Sequence, residues 1–302
     1  MKILLTGSNG LLGQKLVALL LSKPEVQLIA TSRGENKLAK LYPELRFVPL
    51  DVTDRPQVEQ VLAMEQPTHL IHTAAMTNVD ECELNQPACW QQNVTATENI
   101  VAACEQHHIH LLHVSTDFIF SGAEGPLAED AAPAPVNFYG ESKLAAEKAV
   151  QASRTPWAIL RTVLVYGTAH EYGRTNIVLW VRDSLRAGRP IKVVNDQFRT
   201  PTLAEDLAQG CWLAARHYAT GIYHISGREL LTPYQMARQV AEYFGLDSSL
   251  IEKVDARTFT QPAKRPARTG FLIAKAEAQL GYKPHTFREG IALLTTQTEG
   301  VA

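Results

Sequence analysis

Tyr139 and Lys143 stand four residues apart in the run Tyr139-Gly140-Glu141-Ser142-Lys143. On a helix that spacing puts both side chains on one face. A phenol with an ordinary pKa of about 10 is a poor acid or base at neutral pH, but a nearby ammonium stabilises its phenolate. A phenol tuned in this way can hand a proton to a carbonyl oxygen while hydride reaches the carbon. The pair gains weight from Ser115-Thr116-Asp117, which lies at the end of the apolar run His110–Ser115, Thr116 being 23 residues before Tyr139. A hydroxyl there can hold a substrate oxygen, and Asp117 can accept from a substrate hydroxyl. A helix N-cap or an Asx turn is the alternative use of Asp117.

Hydride chemistry needs a carrier, and the N-terminus offers a place for one. Lys2–Thr6 has the composition of a strand and runs into Gly7-Ser8-Asn9-Gly10-Leu11-Leu12-Gly13, followed by a helix-like stretch. Gly7 permits the tight turn, Gly10 lets backbone amides approach a pyrophosphate, and Gly13 allows helix and strand to pack closely. The first turn of the helix then presents free N–H groups and a positive dipole end to the anion. The end of the second strand chooses between NAD and NADP. It reads Ala30-Thr31-Ser32-Arg33-Gly34, with no acid before Glu35. Arg33 and Ser32 suit a 2′-phosphate, which favours NADP(H) and leaves NADH open. Asp51 and Val52, after the third strand, are placed to meet an adenine, with Thr53 and Asp54 competing to cap the next helix.

The elements that must position these groups follow from periodicity. Strands are predicted at Lys2–Thr6, Gln27–Thr31, Arg46–Leu50, His69–Thr73, His110–Ser115 and Ala158–Thr162, with helical spacing between them and a helix over Val136–Gln151. Near-continuous apolar strands alternating with helices imply an α/β fold: a doubly wound parallel sheet of the Rossmann type, with ligands at the carboxyl ends of the strands. The predicted organisation is an NADP-binding domain over 1–166 that carries the catalytic residues. A smaller C-terminal substrate-binding lobe over 167–302 is interleaved with it. The polar stretch after Leu294 is expected to fray.

The 302 residues are 45% hydrophobic and 20% charged with a net charge of −2, which gives no reason to expect nucleic acid or an anionic membrane as partner. The N-terminus does not read as a secretory signal, and no run approaches the ~18 apolar residues of a membrane span. Cys82, Cys89, Cys104 and Cys211 lack metal-type spacing and suit buried thiols in a reducing compartment, so the cytoplasm is the expected location. His107, His108, His110 and His113 resemble a metal cluster, but His110 and His113 would face opposite sides of a strand, and no metal is expected.

The glycine loop, Ser115-Thr116-Asp117 and Tyr139…Lys143 together resemble the extended short-chain dehydrogenase/reductase superfamily, over roughly Met1 to Ile291. Within it the sequence is most similar to the dTDP-4-dehydrorhamnose reductase family. The similarity is carried by Thr73-Ala74-Ala75-Met76-Thr77-Asn78-Val79-Asp80 with Glu83, by Ser115 through Gly122, by Asn137 through Lys143, and by Asp196-Gln197 with Pro201-Thr202. The resemblance implies a catalytic trio of Thr116, Tyr139 and Lys143, with Tyr139 the proton donor. It places Ala74, Ala75 and Asn93 along the cofactor channel and gives Lys143 a second role at the nicotinamide ribose. The implied substrate is a nucleotide-linked keto-sugar, met by Thr116, Asp117, Leu164, Arg199 and Arg265, and the protein partner left open is a second copy of the chain. The departures cluster in the substrate lobe. Leu164 replaces a tryptophan, Arg199 replaces a glycine, and Arg265-Pro266 continues as Ala267-Arg268-Thr269-Gly270 where the family has Asn-Ser. Arg199, Arg265 and Arg268 together suit a pyrophosphate. The alternatives are a sugar-nucleotide epimerase or dehydratase, which Ser32-Arg33 and Phe118 oppose, and a non-catalytic NADP-binding regulator resembling the β subunit of methionine adenosyltransferase.

Overall fold

The computed structural model describes residues 1–171 and 175–299. The predicted span 167–302 therefore includes six positions, 172–174 and 300–302, that lie outside the described residues. Six strands form where the apolar runs predict them: β1 Lys2–Thr6, β2 Gln27–Ser32, β3 Phe47–Pro49, β4 His69–His72, β5 His110–Thr116 and β6 Trp157–Thr162. A seventh, Gly221–His224, comes from the second half of the chain and pairs with β6. All neighbours are parallel, in the order β3-β2-β1-β4-β5-β6 and then Gly221–His224. The chain thus winds outward in both directions from β1, and the crevice between β1 and β4 is the switch point where such sheets bind ligands.

Each face of the sheet has its own apolar layer. On one side Ile3, Leu5, Ala30 and Leu112 pack under α1 (Leu11–Leu21) and the helix Ala204–Arg216. On the other, Leu4, Ile29, Leu70 and Leu111 pack under α2 (Arg55–Glu65) and the helix Ala96–His107. Alternate strand residues feed alternate layers, as the two-residue period requires. Asp54 caps α2 by accepting from Gln57 N, which leaves Asp51 free of that duty.

A third apolar cluster lies away from the sheet, among the helices Ile177–Arg186, Pro233–Phe244 and Phe287–Glu299 and the paired strands Ile191–Val194 and Ile251–Val254. The stretch after Leu294 does not fray up to Glu299: it completes the last helix. Gln297 anchors it, donating to Glu205 at 2.7 Å and accepting from Lys15 at 2.9 Å and from Thr168 at 2.9 Å. The sequence carries no apolar period there because the stretch is held by polar bonds. Among the described residues no helix is long and apolar enough to cross a membrane.

Candidate active site

A cavity of about 560 Å³ opens at the carboxyl ends of β1, β4 and β5. Its walls bring together Gly7, Gly10, Leu11, Leu12 and Gly13 from the loop, Ala75, the run Ser115-Thr116-Asp117, and Tyr139, Lys143 and Leu164. A second cavity of about 210 Å³ shares Gly7, Gly10, Thr73 and Ala75 with the first and extends to Ser32, Arg33, Asp51, Val52 and Ala74. Residues from seven separate segments therefore line one continuous groove.

The loop turns out of β1 with Gly10 N bonded to Gly7 O at 2.9 Å. A Cβ on Gly13 would lie 2.2 Å from Gly7 O, so only glycine lets the first turn of α1 sit on the loop. Gly10 is the N-cap of α1 and, having no side chain, makes no side-chain capping bond, so the first-turn amides face the groove. This open helix end is where the residues present fit the pyrophosphate of a dinucleotide. In the smaller cavity burial raises the Asp51 carboxyl, but bonds from Thr53 N and Oγ1 and the nearby charge of Arg33 bring it below its usual value. Asn9 turns away from the groove: its Nδ2 donates to Glu35 O and its Oδ1 accepts from Lys37 N, so it braces the loop after β2. Asn93 is also displaced from the expected channel. It is buried in a π-turn, Gln91–Thr95, where its amide clamps Met76 N and O and donates to Ser142 Oγ.

The helix Phe138–Gln151 starts two residues later than predicted, capped by Asn137, whose Oδ1 accepts from Gly140 N. A Cβ on Gly140 would lie 2.1 Å from Phe118 O, so glycine lets this helix sit directly on the turn after β5. One turn beyond Lys143, buried Glu147 takes a forked bond from buried Arg161 on β6, which fixes the rotation of the helix. Tyr139 and Lys143 consequently both line the groove beside Thr116. Burial raises the Tyr139 phenol above its usual value, and the Thr116 hydroxyl only partly offsets this. The phenol therefore keeps its proton at neutral pH, the reverse of the lowering expected from an adjacent ammonium. Burial also lowers Lys143 to about 8, with Glu147 pulling the other way, and its Nζ donates to Val114 O at 2.8 Å.

The expected substrate residues divide. Leu164 lines the groove, 40% exposed and with a left-handed φ of 38°. Asp117 is fully buried with its oxygens committed to the protein: Thr116 Oγ1 donates to Oδ1, and Thr269 Oγ1 and Arg199 approach Oδ2. Arg199 is buried too, donating to Pro266 O and Ala267 O. Arg265 pairs with Asp80 at 2.5 and 2.7 Å, and Arg268 donates to Gly125 O. None of the three arginines is brought to the groove, and they tie the 263–269 segment to the helix Val79–Leu84, to the loop at Gly125 and to the stretch around Arg199 instead. Residues that the sequence reading did not single out line it: Thr175 and Asn176 from the second half of the chain, and Gln92. The two histidines on β5 point apart. His110 bonds to Ala219 O and stacks on Tyr218, while His113 faces Lys143 on the other side of β5.

A parallel sheet wound from β1, with a glycine loop at its switch point and a Tyr–Lys helix across the groove, is the arrangement of the extended short-chain dehydrogenase/reductases. More narrowly, the profile of the RmlD substrate binding domain matches residues 1–299, and the chain belongs to that family. It is 30% identical over 294 residues to a probable low-salt glycan biosynthesis reductase of Haloferax volcanii, covering 96% of this chain and 95% of the relative. It is 33% identical over 271 residues to the dTDP-4-keto-6-deoxy-D-glucose reductase of Streptomyces niveus, covering 88% and 86%. Methionine adenosyltransferase 2 subunit beta of Rattus norvegicus is also similar, at 28% over 296 residues, covering 96% and 86%. Among solved structures, the dTDP-4-dehydrorhamnose reductase of Bacillus anthracis in complex with NADP superposes with a TM-score of 0.84 at 27% identity, covering 98% of this chain and 99% of that one.

Proposed function

We propose that the protein is an NADPH-dependent reductase of a keto group on a nucleotide-linked sugar, with dTDP-4-dehydrorhamnose the leading substrate. The observation that carries this reading is the convergence of buried Tyr139 on the same groove as Thr116, Lys143 and the glycine loop. When bound, the nicotinamide supplies hydride to the keto carbon. Tyr139 holds a proton at its phenolic oxygen and gives it to the sugar's carbonyl oxygen, for which a phenol kept neutral by burial suits the direction of reduction. Lys143, held by Val114 O, keeps a positive charge near the phenolate that results. Thr116 lines the groove beside Tyr139, its hydroxyl donating to Asp117 Oδ1 and accepting from Phe118 N. Arg33 and Ser32 at the wall of the smaller cavity favour a 2′-phosphate, hence NADPH over NADH. The substrate lobe is the region of 167–302 that supplies Gly167, Thr175 and Asn176 to the groove.

The likeness to methionine adenosyltransferase subunit beta favours a second reading, a regulator that binds NADP without turnover. One experiment separates the two: loss of NADPH absorbance with dTDP-4-dehydrorhamnose, for wild type and Tyr139→Phe, with NADH in parallel. Turnover that falls about 10²–10⁴-fold in the variant, with cofactor affinity little changed, is the expected result. Tight NADPH binding with no turnover on this or other keto-sugars would overturn the reductase reading.

A further inference from the structure

Beneath the groove, against Lys143, lies a polar group that the proposed reaction leaves unused. His113 on β5 is 1% exposed and directly precedes Val114. Lys143 Nζ reaches both residues, at 2.8 Å from Val114 O and 3.3 Å from His113 Nε2. An ammonium has only protons to give, so Nε2 must be the acceptor and the ring proton must sit on Nδ1. That Nδ1 finds no hydrogen-bond partner among the described residues. Leaving a buried donor unmade costs stability, and a leucine here would avoid the cost. His72 on β4 lies beside it with ring centroids 5.4 Å apart, bonded to Thr6 and Thr97. Burial holds both imidazoles far below their usual range, so this layer is polar but uncharged.

We propose that His113 is a positioning residue for the Tyr139–Lys143 pair: as a neutral, Nδ1-protonated imidazole it accepts a hydrogen bond from Lys143 and fixes the ammonium against the groove. This rests on the reductase reading, since only there does the placement of Lys143 matter for chemistry. The choice of residue follows from charge. A carboxylate beneath Lys143 would orient it but also cancel its field at Tyr139. A neutral acceptor orients without cancelling. Val114 O takes one of the ammonium's protons, and the other side chains facing Lys143 leave a second to His113. Glu147, on the same helix, is taken up by Arg161, and Cys89 from the helix Gln86–Trp90 engages Ser142 and Asn93. His72 from β4 is bonded elsewhere, and Tyr139 is the group served.

The test reads Lys143 directly, in the full chain without cofactor, by NMR titration of lysines labelled at the ε-carbon and assigned with Lys143→Arg. Three variants are compared with wild type. His113→Gln can place an oxygen near the Nε2 position, His113→Asn reaches only the Nδ1 position, and His113→Leu has no acceptor. Losing the acceptor removes a stabiliser of the charged form, so the Lys143 midpoint should fall from about 8 in the Leu and Asn variants. The expected fall is three- to tenfold in the protonation constant, roughly half to one pH unit, with return toward wild type in the Gln variant. The alkaline limb of kcat/KM should move with it while KM stays nearly constant. If the Leu variant does not fold, the Gln–Asn pair carries the same comparison. Unchanged midpoints in the Asn and Leu variants, with activity falling only as the melting temperature falls, would overturn the proposal and make His113 a packing residue. Because the titration needs no substrate, it separates this outcome from a wild type that turns nothing over, which would overturn the reductase reading instead.

Discussion

The carboxyl edge of the sheet and the segment around Arg265 both carry motifs that suggest ligand binding, yet they use them in opposite ways. At the sheet edge, Gly7, Gly10, Thr116, Tyr139 and Lys143 converge on one groove. In the other region, Arg199, Arg265 and Arg268 turn inward to Asp117, Asp80 and Gly125 O. A strand end followed by a helix turn fixes where a side chain points within a few residues, whereas a long arginine on an irregular segment goes to whichever carboxylate or carbonyl the tertiary fold brings near. Similar motifs thus have different reliability, according to how much local backbone stands behind them.

The sharpest way to break the comparison is Arg199→Ala. It would leave the buried carboxyl of Asp117 without its cation, at a cost of about 3–5 kcal/mol, read in urea unfolding. A raised KM with unchanged stability would instead put Arg199 back in the substrate site. On the sheet edge, Arg33→Ala should do the reverse: unfolding unchanged, and affinity for NADPH reduced by about 1.5–3 kcal/mol, tenfold or more, with NADH little affected. Equal losses for both cofactors would remove the 2′-phosphate argument. The buried imidazoles of the sheet make a third test. His72 and His224 are held at about 3 and His113 well below 6.5, all mainly by burial. Above pH 6.5 they contribute nothing. As pH falls from 6.5 toward 3, the unfolded chain binds protons that the folded chain refuses, and stability drops by up to about 1.4 kcal/mol per pH unit for each. Asp117, raised by burial, has the opposite sign as it takes up its proton, so the net slope lies below that sum. A flat profile between pH 7 and 5 would show that these rings are hydrated. The smallest effect is expected from Arg265→Ala, whose pair with Asp80 is partly exposed, at about 1 kcal/mol or less.

Much of the fold was legible because it is periodic. The six predicted strands form within two residues of the expected bounds, since buried parallel strands need unbroken apolar runs. The seventh, Gly221–His224, was not legible: it is four residues long, and its apolar content, Ile222 and Tyr223, is too short to show a period. The candidate site divides in the same way. Tyr139, Lys143 and the glycines could be placed by spacing because each sits within one turn of a regular element. Asn93 could not, because its amide is engaged by Met76 and Ser142, partners 17 and 49 positions away in the chain. Thr175 and Asn176 could not either, because they reach the groove from far along the chain.

By itself the sequence determined the strands and helices of the parallel sheet, the glycine loop at its first turn and the helical face shared by Tyr139 and Lys143, all legible in residue patterns a few positions long. The tertiary structure decided the proton affinity of Tyr139, which burial raises where the sequence suggested a lowering, and the partners of Arg199 and Arg265. It also decided the neutral imidazole beneath Lys143. The physical reason is that burial and long-range pairing depend on which distant segments close over a group, and desolvation grows with that closure, whereas backbone periodicity is written locally.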